Sequence, residues 1–300
     1  MAARFFSMFM IRKWLQSCFD GYNGIKTRNG DRVICISGYE GLGKSNLGMH
    51  IFEQWYTDIL EHKFGKEYIK YFSSNKNEFV EALKESSSNN KKYHMIVHDE
   101  SGKDLYARNA VTDFNKDLNI AYQVIRGLNL FTILIVPNIL DLDTFFRKRR
   151  ITGMFWVYDY GKVAFFGKRK MRLLIPALQS MAKGNSNPDP MLARMPNGKK
   201  IEPDYLDTYP IYENKEFIKA YEKRKMDNMN STVNELFDKY DATKKDGSGK
   251  STKEHKLAPM VKKLMKKHPE MSNSQIAKRL RTHPTTVSNI IVAEGLLGDI

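Results

Sequence analysis

Residues 32–45 read RVICISGYEGLGKS, and the interpretation of the rest of the chain depends on them. The first seven residues are mostly apolar, and three of them are β-branched, which predicts a buried strand. Residues 38–45 fit the pattern G-x-x-x-x-G-K-[ST], and a helical pattern follows over 44–62. A glycine-rich turn between a strand and a helix is typical of a phosphate-binding loop. The sequence therefore predicts a nucleotide site at this turn.

The residues of this loop have predicted roles in binding ATP and Mg²⁺. Glycines allow backbone N–H groups to face phosphate oxygens, and the N-terminus of the following helix adds a partial positive charge. Lys44 is expected to reach the β- and γ-phosphates, and the Ser45 hydroxyl is expected to bind Mg²⁺. The predicted nucleotide-binding residues are Gly38, Gly41, Gly43, Lys44, Ser45 and Asn46.

A second stretch, YHMIVHDE at 93–100, is an apolar strand that ends in two carboxylates. Asp99 is expected to hold Mg²⁺ together with Ser45. Glu100 is expected to orient and deprotonate the attacking water. The alternative is an acidic strand end that faces solvent, but a phosphate loop in the same chain favours the catalytic interpretation.

A third strand pattern, LFTILIVPN at 130–138, ends in Asn138. The amide is expected to hold the attacking water or to sense the γ-phosphate, and an ordinary turn asparagine is the alternative. Hydrolysis in this class often needs an arginine from a neighbouring subunit. Arg126, just before the strand, is the favoured candidate. The other candidates lie in FRKRR at 146–150 and are Arg147, Arg149 and Arg150.

A second Gly-Lys-Ser, in DGSGKST at 246–252, fails the tests that the first one passes. Lys244 stands where the pattern requires its first glycine, and the preceding residues are polar and charged. No periodic helix pattern follows directly. This stretch is predicted to belong to a flexible basic linker, so the chain is expected to have a single nucleotide site.

Strand and helix patterns alternate beyond the loop, which predicts an α/β domain with a largely parallel sheet. EYIKYFS at 67–73 is a further strand candidate, and helix patterns cover 76–86, 112–126 and 141–149. Residues 154–167 predict a β-hairpin that turns at Asp159-Tyr160-Gly161. The predicted segments are a helical N-terminus (1–30), an ATPase domain (31–182), a loop and helical extension (183–240), a basic linker (241–255) and a helix-turn-helix domain (256–300).

The composition indicates an intracellular protein with a polyanionic partner. Of 300 residues, 41% are hydrophobic, enough to form a core, and the formal net charge is +15. This excess favours nucleic acid or an anionic membrane surface, with a generally basic surface as the alternative. Cys18 and Cys35 form neither a metal cluster nor a disulfide framework, and Cys35 is expected in the core.

The N-terminal residues MAARFFSMFMIRKWLQSCF are expected to form a helix. Phe5, Phe9, Trp14 and Leu15 are expected to share one face, packed on the next domain or placed on a membrane or partner surface. The apolar run is too short to span a bilayer and lacks a cleavage signature. A cytoplasmic location is expected, with no transmembrane segment.

Residues 256–300 predict a small helical DNA-binding domain. His283 and Pro284 suit the N-cap and the first position of its last helix. Residues 241–283 hold 12 Lys and Arg against 4 Asp and Glu, a surplus that phosphate contacts need. A bundle for protein contacts is the alternative. The two predicted apolar helix faces comprise Ile276, Ala277 and Leu280, and Val287, Ile290 and Ile291.

The order of motifs over about residues 30–180 resembles the FtsK–HerA group of DNA-pumping ATPases. VHDESGKDLYARNA and VIRGLNLFTILIVPN look especially like its virus- and plasmid-borne members, which include Zot-like and genome-packaging ATPases. The resemblance implies a RecA-like (ASCE) P-loop NTPase core with a terminal hairpin. It also implies a homo-oligomeric ring, usually a hexamer, that moves duplex DNA. Asn138 departs from the group, which usually has Gln there.

The stretches QIAKRL and HPTTVSNII resemble helix-turn-helix domains of recombinases and transcription regulators, over about residues 256–297. The resemblance implies that Pro284–Asn289 opens a recognition helix in the major groove. Arg281 stands where a turn glycine is common. The predicted DNA-binding residues are Lys278, Arg279, Arg281, Pro284, Thr285, Thr286, Ser288 and Asn289.

These features together predict an ATP-driven DNA translocase, with viral or plasmid DNA packaging or transfer as the favoured role. One alternative is an AAA+ replication initiator or transposition helper, against which the hairpin counts. Another is an ATP-switched DNA-binding regulator without turnover, against which Glu100 counts. The cations predicted to line a DNA path near the hairpin are Lys162, Lys168, Arg169, Lys170 and Arg172.

Overall fold

The chain forms two compact units, Met1–Met229 and Asn230–Ile300, each with its own apolar core. The division falls inside one long helix, Lys215–Lys245. The computed structural model describes residues 8–88, 92–99, 101, 125–183, 188–245, 252–268, 271–280 and 282–293.

A seven-stranded sheet organises the first unit, in the order β2-β3-β4-β1-β5-β6-β7. The first five strands of that order pair in parallel, and β6 and β7 are antiparallel to their neighbours. This arrangement, with the small helical second unit, confirms the predicted RecA-like α/β class. The strands are β1 (Arg32–Gly38), β2 (Phe72–Ser73), β3 (Met95–His98), β4 (Phe131–Val136), β5 (Ile151–Asp159), β6 (Lys162–Gly167) and β7 (Tyr205–Thr208).

Nine α-helices are described, six in or starting in the first unit and three in the second. Within the described residues, none is long and apolar enough to cross a membrane. The helices are α1 (Phe9–Asp20), α2 (Ile25–Arg28), α3 (Lys44–Gln54), α4 (Lys76–Ser88), α5 (Lys168–Met181), α6 (Lys215–Lys245), α7 (Thr252–Lys267), α8 (Asn273–Arg279) and α9 (Pro284–Ala293).

The sheet core explains why the central strands are continuously apolar. All six residues of β4 are buried, as are the last six of β1, because both faces of these strands are covered. Cys35 of β1 is fully buried, as expected for a core residue. The hairpin prediction is also confirmed, since β5 and β6 pair up to Asp159 and Lys162, with Gly161 in the turn at φ 70°.

The N-terminal helix packs on this sheet. The Trp14 ring lies 5.1 Å from Phe155 and 4.8 Å from Phe165, between ring centroids. The prediction that Phe9 lies on the apolar face of this helix is wrong, because Phe9 is 57% exposed. Phe9 precedes the buried Ile11 by two residues and so points about 200° away from it around the helix. Phe5 lies outside the described residues.

Two further expectations differ from the structure. EYIKYFS is not a full strand, because Lys66–Tyr71 forms a 3-10 helix and only Phe72–Ser73 pairs with β3. The threefold period brings Tyr68 and Tyr71 to one face, with ring centroids 6.5 Å apart. The predicted helix at 141–149 is instead a π-helical turn, Phe146–Arg150, after a short 3-10 turn.

The predicted helix at 112–126 falls almost entirely outside the described residues, and its end overlaps a 3-10 turn, Ile125–Leu128. The segment predicted as a flexible linker, 241–255, is helical at both ends, because α6 continues to Lys245 and α7 begins at Thr252. The other predicted segment boundaries stay predictions.

In the second unit, α7, α8 and α9 pack around one small core. The predicted apolar faces of α8 and α9 meet there, together with residues of α7, and Leu280 is partly buried against them. Ser272 caps α8 in a capping box with Gln275, which fixes where that helix begins. The buried residues are Ala258, Val261, Ile276, Ala277, Val287, Ile290 and Ile291.

Candidate nucleotide-binding site

The predicted phosphate loop lies between the carboxyl end of β1 and the start of α3. Gly38 ends the strand, and Gly43 is the N-cap of the helix. Gly41 and Gly43 have φ values of 79° and 89°, in the left-handed region that residues with a Cβ rarely adopt. The loop therefore adopts a backbone conformation that needs its glycines. It lies at the helix end that carries a partial positive charge.

The Lys44 ammonium group lies against its own loop. Its Nζ donates hydrogen bonds to the carbonyl oxygens of Gly38, at 2.9 Å, and Tyr39, at 2.7 Å. Burial lowers the pKa of Lys44, and the carboxylates of Asp99 and Glu40 oppose that shift. Two carbonyls thus hold the ammonium at the loop where phosphate is predicted.

The two predicted metal ligands are in direct contact. Ser45 Oγ donates a hydrogen bond of 2.9 Å to Asp99 Oδ2. Asp99 follows β3 and is only 3% exposed, and its backbone N–H donates to the Ser73 carbonyl at 2.8 Å. A hydroxyl and a carboxylate are hard oxygen donors of the kind Mg²⁺ takes, usually with several of its own waters. The residues present therefore fit Mg²⁺.

Helix α6 adds two side chains that the sequence prediction missed. Tyr221 Oη also donates a hydrogen bond to Asp99 Oδ2. Lys225 Nζ lies 3.9 Å from the same oxygen and 3.4 Å from Tyr221 Oη. Lys225 also contributes to lowering the pKa of Lys44. The only sequence signal for this face is the four-residue spacing from Phe217 through Tyr221 to Lys225.

Residues 209–212, which follow β7, form hydrogen bonds with the phosphate loop and the start of α3. Tyr209 Oη donates to the carbonyl of Leu42 at 3.1 Å. Asn46 Nδ2 donates to the Pro210 carbonyl at 3.1 Å, and Asn46 Oδ1 accepts from the Tyr212 N–H at 2.7 Å. The side chain of Asn46 is therefore bonded to protein on both sides. Its assignment to nucleotide binding stays a prediction.

The remaining predicted catalytic residues are only partly described. Asn138 follows β4 and is 8% exposed, and its Oδ1 accepts a hydrogen bond of 2.9 Å from the Leu140 N–H. This bond caps a short 3-10 turn, and a sensor role for Asn138 stays a prediction. Glu100 lies outside the described residues, and so does the side chain of Arg126.

The arginines of the π-helical turn have different surroundings. Arg150 forms an ion pair with Asp31, and both side chains are mostly buried. Arg147 donates to Thr144 Oγ1 at 3.2 Å, and burial lowers its pKa. Arg149 is exposed. Arg150 is therefore engaged within its own chain, and Arg149 is the most exposed of the three.

The basic residues near the hairpin do not form one uniform surface. Lys162 pairs with Asp159 at 2.8 Å, and Lys170 donates to the Glu202 carbonyl at 2.6 Å. Lys168, Arg169 and Arg172 are exposed on α5. A cavity of about 270 Å³ next to α5 has a mixed lining, with apolar residues that include Ile151, Met171 and Ile175 and the cations Arg147, Lys148, Arg149, Lys168 and Arg172.

The predicted recognition helix begins as expected. Pro284 is the first residue of α9, and the Thr286 N–H donates to the His283 carbonyl at 3.0 Å. His283 Nδ1 lies 2.7 Å from Thr285 Oγ1 and accepts from the Thr285 N–H at 3.4 Å. His283 is therefore the N-cap, with its side chain over the first turn.

The other residues predicted to contact DNA lie around these two helices. Ser288 Oγ accepts a hydrogen bond from Asn273 Nδ2 at 3.1 Å, which ties α9 to α8. Asn289, Lys278 and Arg279 are exposed, whereas Thr286 is partly buried. Arg281 lies outside the described residues. DNA contact by this set stays a prediction.

Comparisons with known proteins find partial structural similarities. The genome packaging NTPase B204 from Sulfolobus turreted icosahedral virus 2 is 16% identical, over 47% of this chain and 93% of that chain, with a TM-score of 0.36. The N-terminal domain of zonular occludens toxin from Neisseria meningitidis is 12% identical, over 46% and 84%, with a TM-score of 0.32. These are the two kinds of protein that the sequence resemblance named.

A chain of the HORMA:CdnC:Trip13 complex of E. coli MS115-1 is also similar. It is 11% identical, over 65% of this chain and 77% of that chain, with a TM-score of 0.34. No protein-family model and no curated protein sequence matches the chain. The function proposed for this chain therefore rests on its own residues.

Proposed function

We propose that this chain is an ATPase that drives DNA movement, in genome packaging or DNA transfer. The observation that carries the proposal is the Ser45–Asp99 contact beside a phosphate loop with left-handed glycines. Loop, lysine, hydroxyl and carboxylate are the groups that a P-loop NTPase needs to bind a nucleoside triphosphate. Mg²⁺, when bound, neutralises charge on the phosphates.

The chain's own residues divide the work in this proposal. Backbone N–H groups of the loop bind the phosphates, and Lys44 moves from the Gly38 and Tyr39 carbonyls to phosphate oxygens. Ser45 and Asp99 hold the cation. Glu100, the next residue after Asp99, takes the proton from the attacking water.

The remaining site residues have proposed roles as well. Asn138 positions the attacking water, and Arg126 of a neighbouring subunit stabilises charge on the phosphates during transfer. The arginine role requires a homo-oligomer, which we infer to be a ring.

Three features support DNA as the partner. The formal charge of +15 gives the chain long-range attraction for a polyanion. The exposed Lys168, Arg169 and Arg172 of α5 suit phosphate contacts, which carry no sequence information. In the second unit, a histidine-capped helix presents Thr285 and Asn289 in its first turns, the size and polarity that base edges accept.

The sheet favours this function over an AAA+ initiator or helper. In that class, the chain after the sensor strand would normally continue into a helical lid. Here β5 continues into a hairpin with β6, and β6 and β7 extend the same sheet before α6 begins.

The test is ATP hydrolysis and DNA movement by the full chain. We expect duplex DNA to stimulate hydrolysis, and Lys44→Ala to lose at least about tenfold, since 1.4 kcal/mol of transition-state binding corresponds to that factor. The control is Lys84→Ala, which removes an exposed lysine of α4. Movement is measured as ATP-dependent displacement of a third strand from duplex DNA.

The two parts of the proposal fail separately. Normal hydrolysis by Lys44→Ala would place the nucleotide site elsewhere. ATP hydrolysis without strand displacement would support the proposed ATPase activity and contradict the proposed movement of DNA.

A further inference from the structure

Three side chains of the described residues lie close to one oxygen of the proposed metal site. Asp99 Oδ2 accepts from Ser45 Oγ at 2.9 Å and from Tyr221 Oη, and Lys225 Nζ lies 3.9 Å away. Ser45 and Asp99 belong to the phosphate loop and the end of β3, as in the predicted site. Tyr221 and Lys225 come from α6, which follows the sheet in the chain. Asp99 is 3% exposed, so these contacts are made in a buried position.

The position of these two side chains is fixed by the packing of α6. The Tyr221 ring meets Phe72 edge-on, with centroids 5.2 Å apart. Arg224 forms an ion pair with Glu78 at 3.0 Å and donates to the Ile69 carbonyl at 2.8 Å. These contacts hold one face of α6 against β2 and α4. Tyr221 and Lys225 are thus presented to Asp99 by a docked helix.

Mg²⁺ and this pair compete for the same oxygen. A carboxylate oxygen has two lone pairs, and Ser45 and Tyr221 both donate to Asp99 Oδ2, so a metal, or a water bound to it, that takes this oxygen has to displace a donor. An ammonium group about 4 Å away also repels a divalent cation, and burial of the carboxylate keeps that repulsion from being fully screened. Ser45 also donates to this oxygen, but its own hydroxyl oxygen is a predicted ligand of the metal, whereas Tyr221 and Lys225 are not predicted ligands.

We propose that Tyr221 and Lys225 set the metal affinity of the nucleotide site by holding Asp99 Oδ2 in the metal-free chain. Binding of Mg²⁺ with nucleotide displaces both side chains from that oxygen. The part of α6 that carries them, up to Met229, therefore has different contacts in the metal-free and metal-bound chain. This proposal rests on the proposed nucleotide function and assigns that site a means of regulation.

The test measures metal binding without turnover. Mn²⁺, a paramagnetic stand-in for Mg²⁺, is titrated into the full chain with a non-hydrolysable ATP analogue and followed by electron paramagnetic resonance. Tyr221→Phe keeps the packed ring and removes only the hydroxyl, and Lys225→Met removes only the charge. We expect Lys225→Met to bind Mn²⁺ about two- to fivefold more tightly, the range for a partly exposed charge pair. We expect at least the same gain for Tyr221→Phe, because a hydrogen bond to a charged group contributes more.

A matched control separates this effect from a general change in charge. Lys223→Met removes a lysine from an exposed position on the same helix and is expected to leave Mn²⁺ affinity unchanged. Unchanged or weaker Mn²⁺ binding in both Tyr221→Phe and Lys225→Met would overturn the proposal, since the pair would then be neutral or supportive toward the metal.

Hydrogen exchange of α6 gives a second readout. Amides of residues 217–229 are expected to exchange faster in the wild-type chain with Mn²⁺ and analogue than with analogue alone. If these exchange rates do not change while Mn²⁺ binds, Tyr221 and Lys225 are not displaced from Asp99. A wild-type chain that binds no nucleotide would overturn the proposed function and this proposal together. Normal nucleotide binding with unaltered metal affinity in the variants would overturn this proposal alone.

Discussion

Two glycines of the phosphate loop are required for different physical reasons, and alanine at each separates them. A Cβ at Gly38 would lie 2.4 Å from the Val157 carbonyl oxygen of β5. Gly38 and Val157 are paired in the sheet, so neither backbone can rotate away. At Gly41 a Cβ would meet nothing within 4 Å, but φ is 79°. Gly38→Ala therefore strains the sheet, and Gly41→Ala strains only the loop.

The expected costs differ in size. Overpacking usually costs about 1–3 kcal/mol, and a clash with fixed backbone belongs at or above the upper end, so we expect Gly38→Ala to lose about 3 kcal/mol or more. A left-handed residue with a Cβ costs about 1–2 kcal/mol, which is the loss expected for Gly41→Ala. Gly41→Ala is expected to fold with a native sheet and to bind ATP more weakly, because the loop N–H groups shift.

Urea unfolding measured by tryptophan fluorescence tests this difference. All three tryptophans, Trp14, Trp55 and Trp156, belong to the core of the first unit, so the signal reports that unit alone. Binding of a fluorescent ATP analogue is measured in parallel. If Gly38→Ala is no less stable than Gly41→Ala, the close approach of β1 and β5 is not what requires glycine at position 38.

Two further outcomes are expected. Glu100→Gln should keep ATP binding and lose most turnover, because only the proposed base is removed; near-normal hydrolysis in a steady-state assay would mean that another group is the base. Truncation after Lys245, where α6 ends, should leave an ATPase that binds duplex DNA less tightly. The slope of the logarithm of the DNA-binding constant against the logarithm of the salt concentration should become shallower by about 0.9 for each DNA phosphate that residues 246–300 neutralise in the full chain. An unchanged slope would mean that these residues do not bind DNA.

The parts of the fold that the sequence predicted are those set by local patterns. β1 and β4 are continuous apolar runs, and a strand buried on both faces needs that composition. The hairpin follows from β-rich runs around a turn with Gly161 at positive φ. The loop is predictable because phosphate binding requires glycines and lysine at fixed spacing. In each case neighbouring residues carry the signal.

Interactions between distant parts of the chain are not predictable in the same way. Tyr221 and Asp99 are 122 residues apart, and their hydrogen bond depends on how α6 docks beside β2. The sequence predicts a helical extension within residues 183–240, but its polar pattern does not identify the buried face of that helix. Tyr68 and Tyr71 favour a strand because aromatic residues are common in strands, but packing of the Tyr68 ring, 4.2 Å from Tyr56, accompanies a 3-10 turn instead.

The order of strands in the sheet explains why Asn138 lies near the phosphate loop and Asp99. β4 lies between β1 and β3, so the chain leaving β4 emerges between the phosphate loop and Asp99. The Pro137 carbonyl accepts from Ser37 Oγ at 3.1 Å on the β1 side, and the Ile135 carbonyl accepts from Ser101 Oγ at 3.0 Å on the β3 side. Hydrogen bonds therefore connect the end of β4 to Ser37, beside the phosphate loop, and to Ser101, which follows Asp99 by two residues. Asn138 therefore lies where a residue that senses the γ-phosphate is predicted, although its Oδ1 here accepts from the Leu140 N–H, and the sensor role stays a prediction.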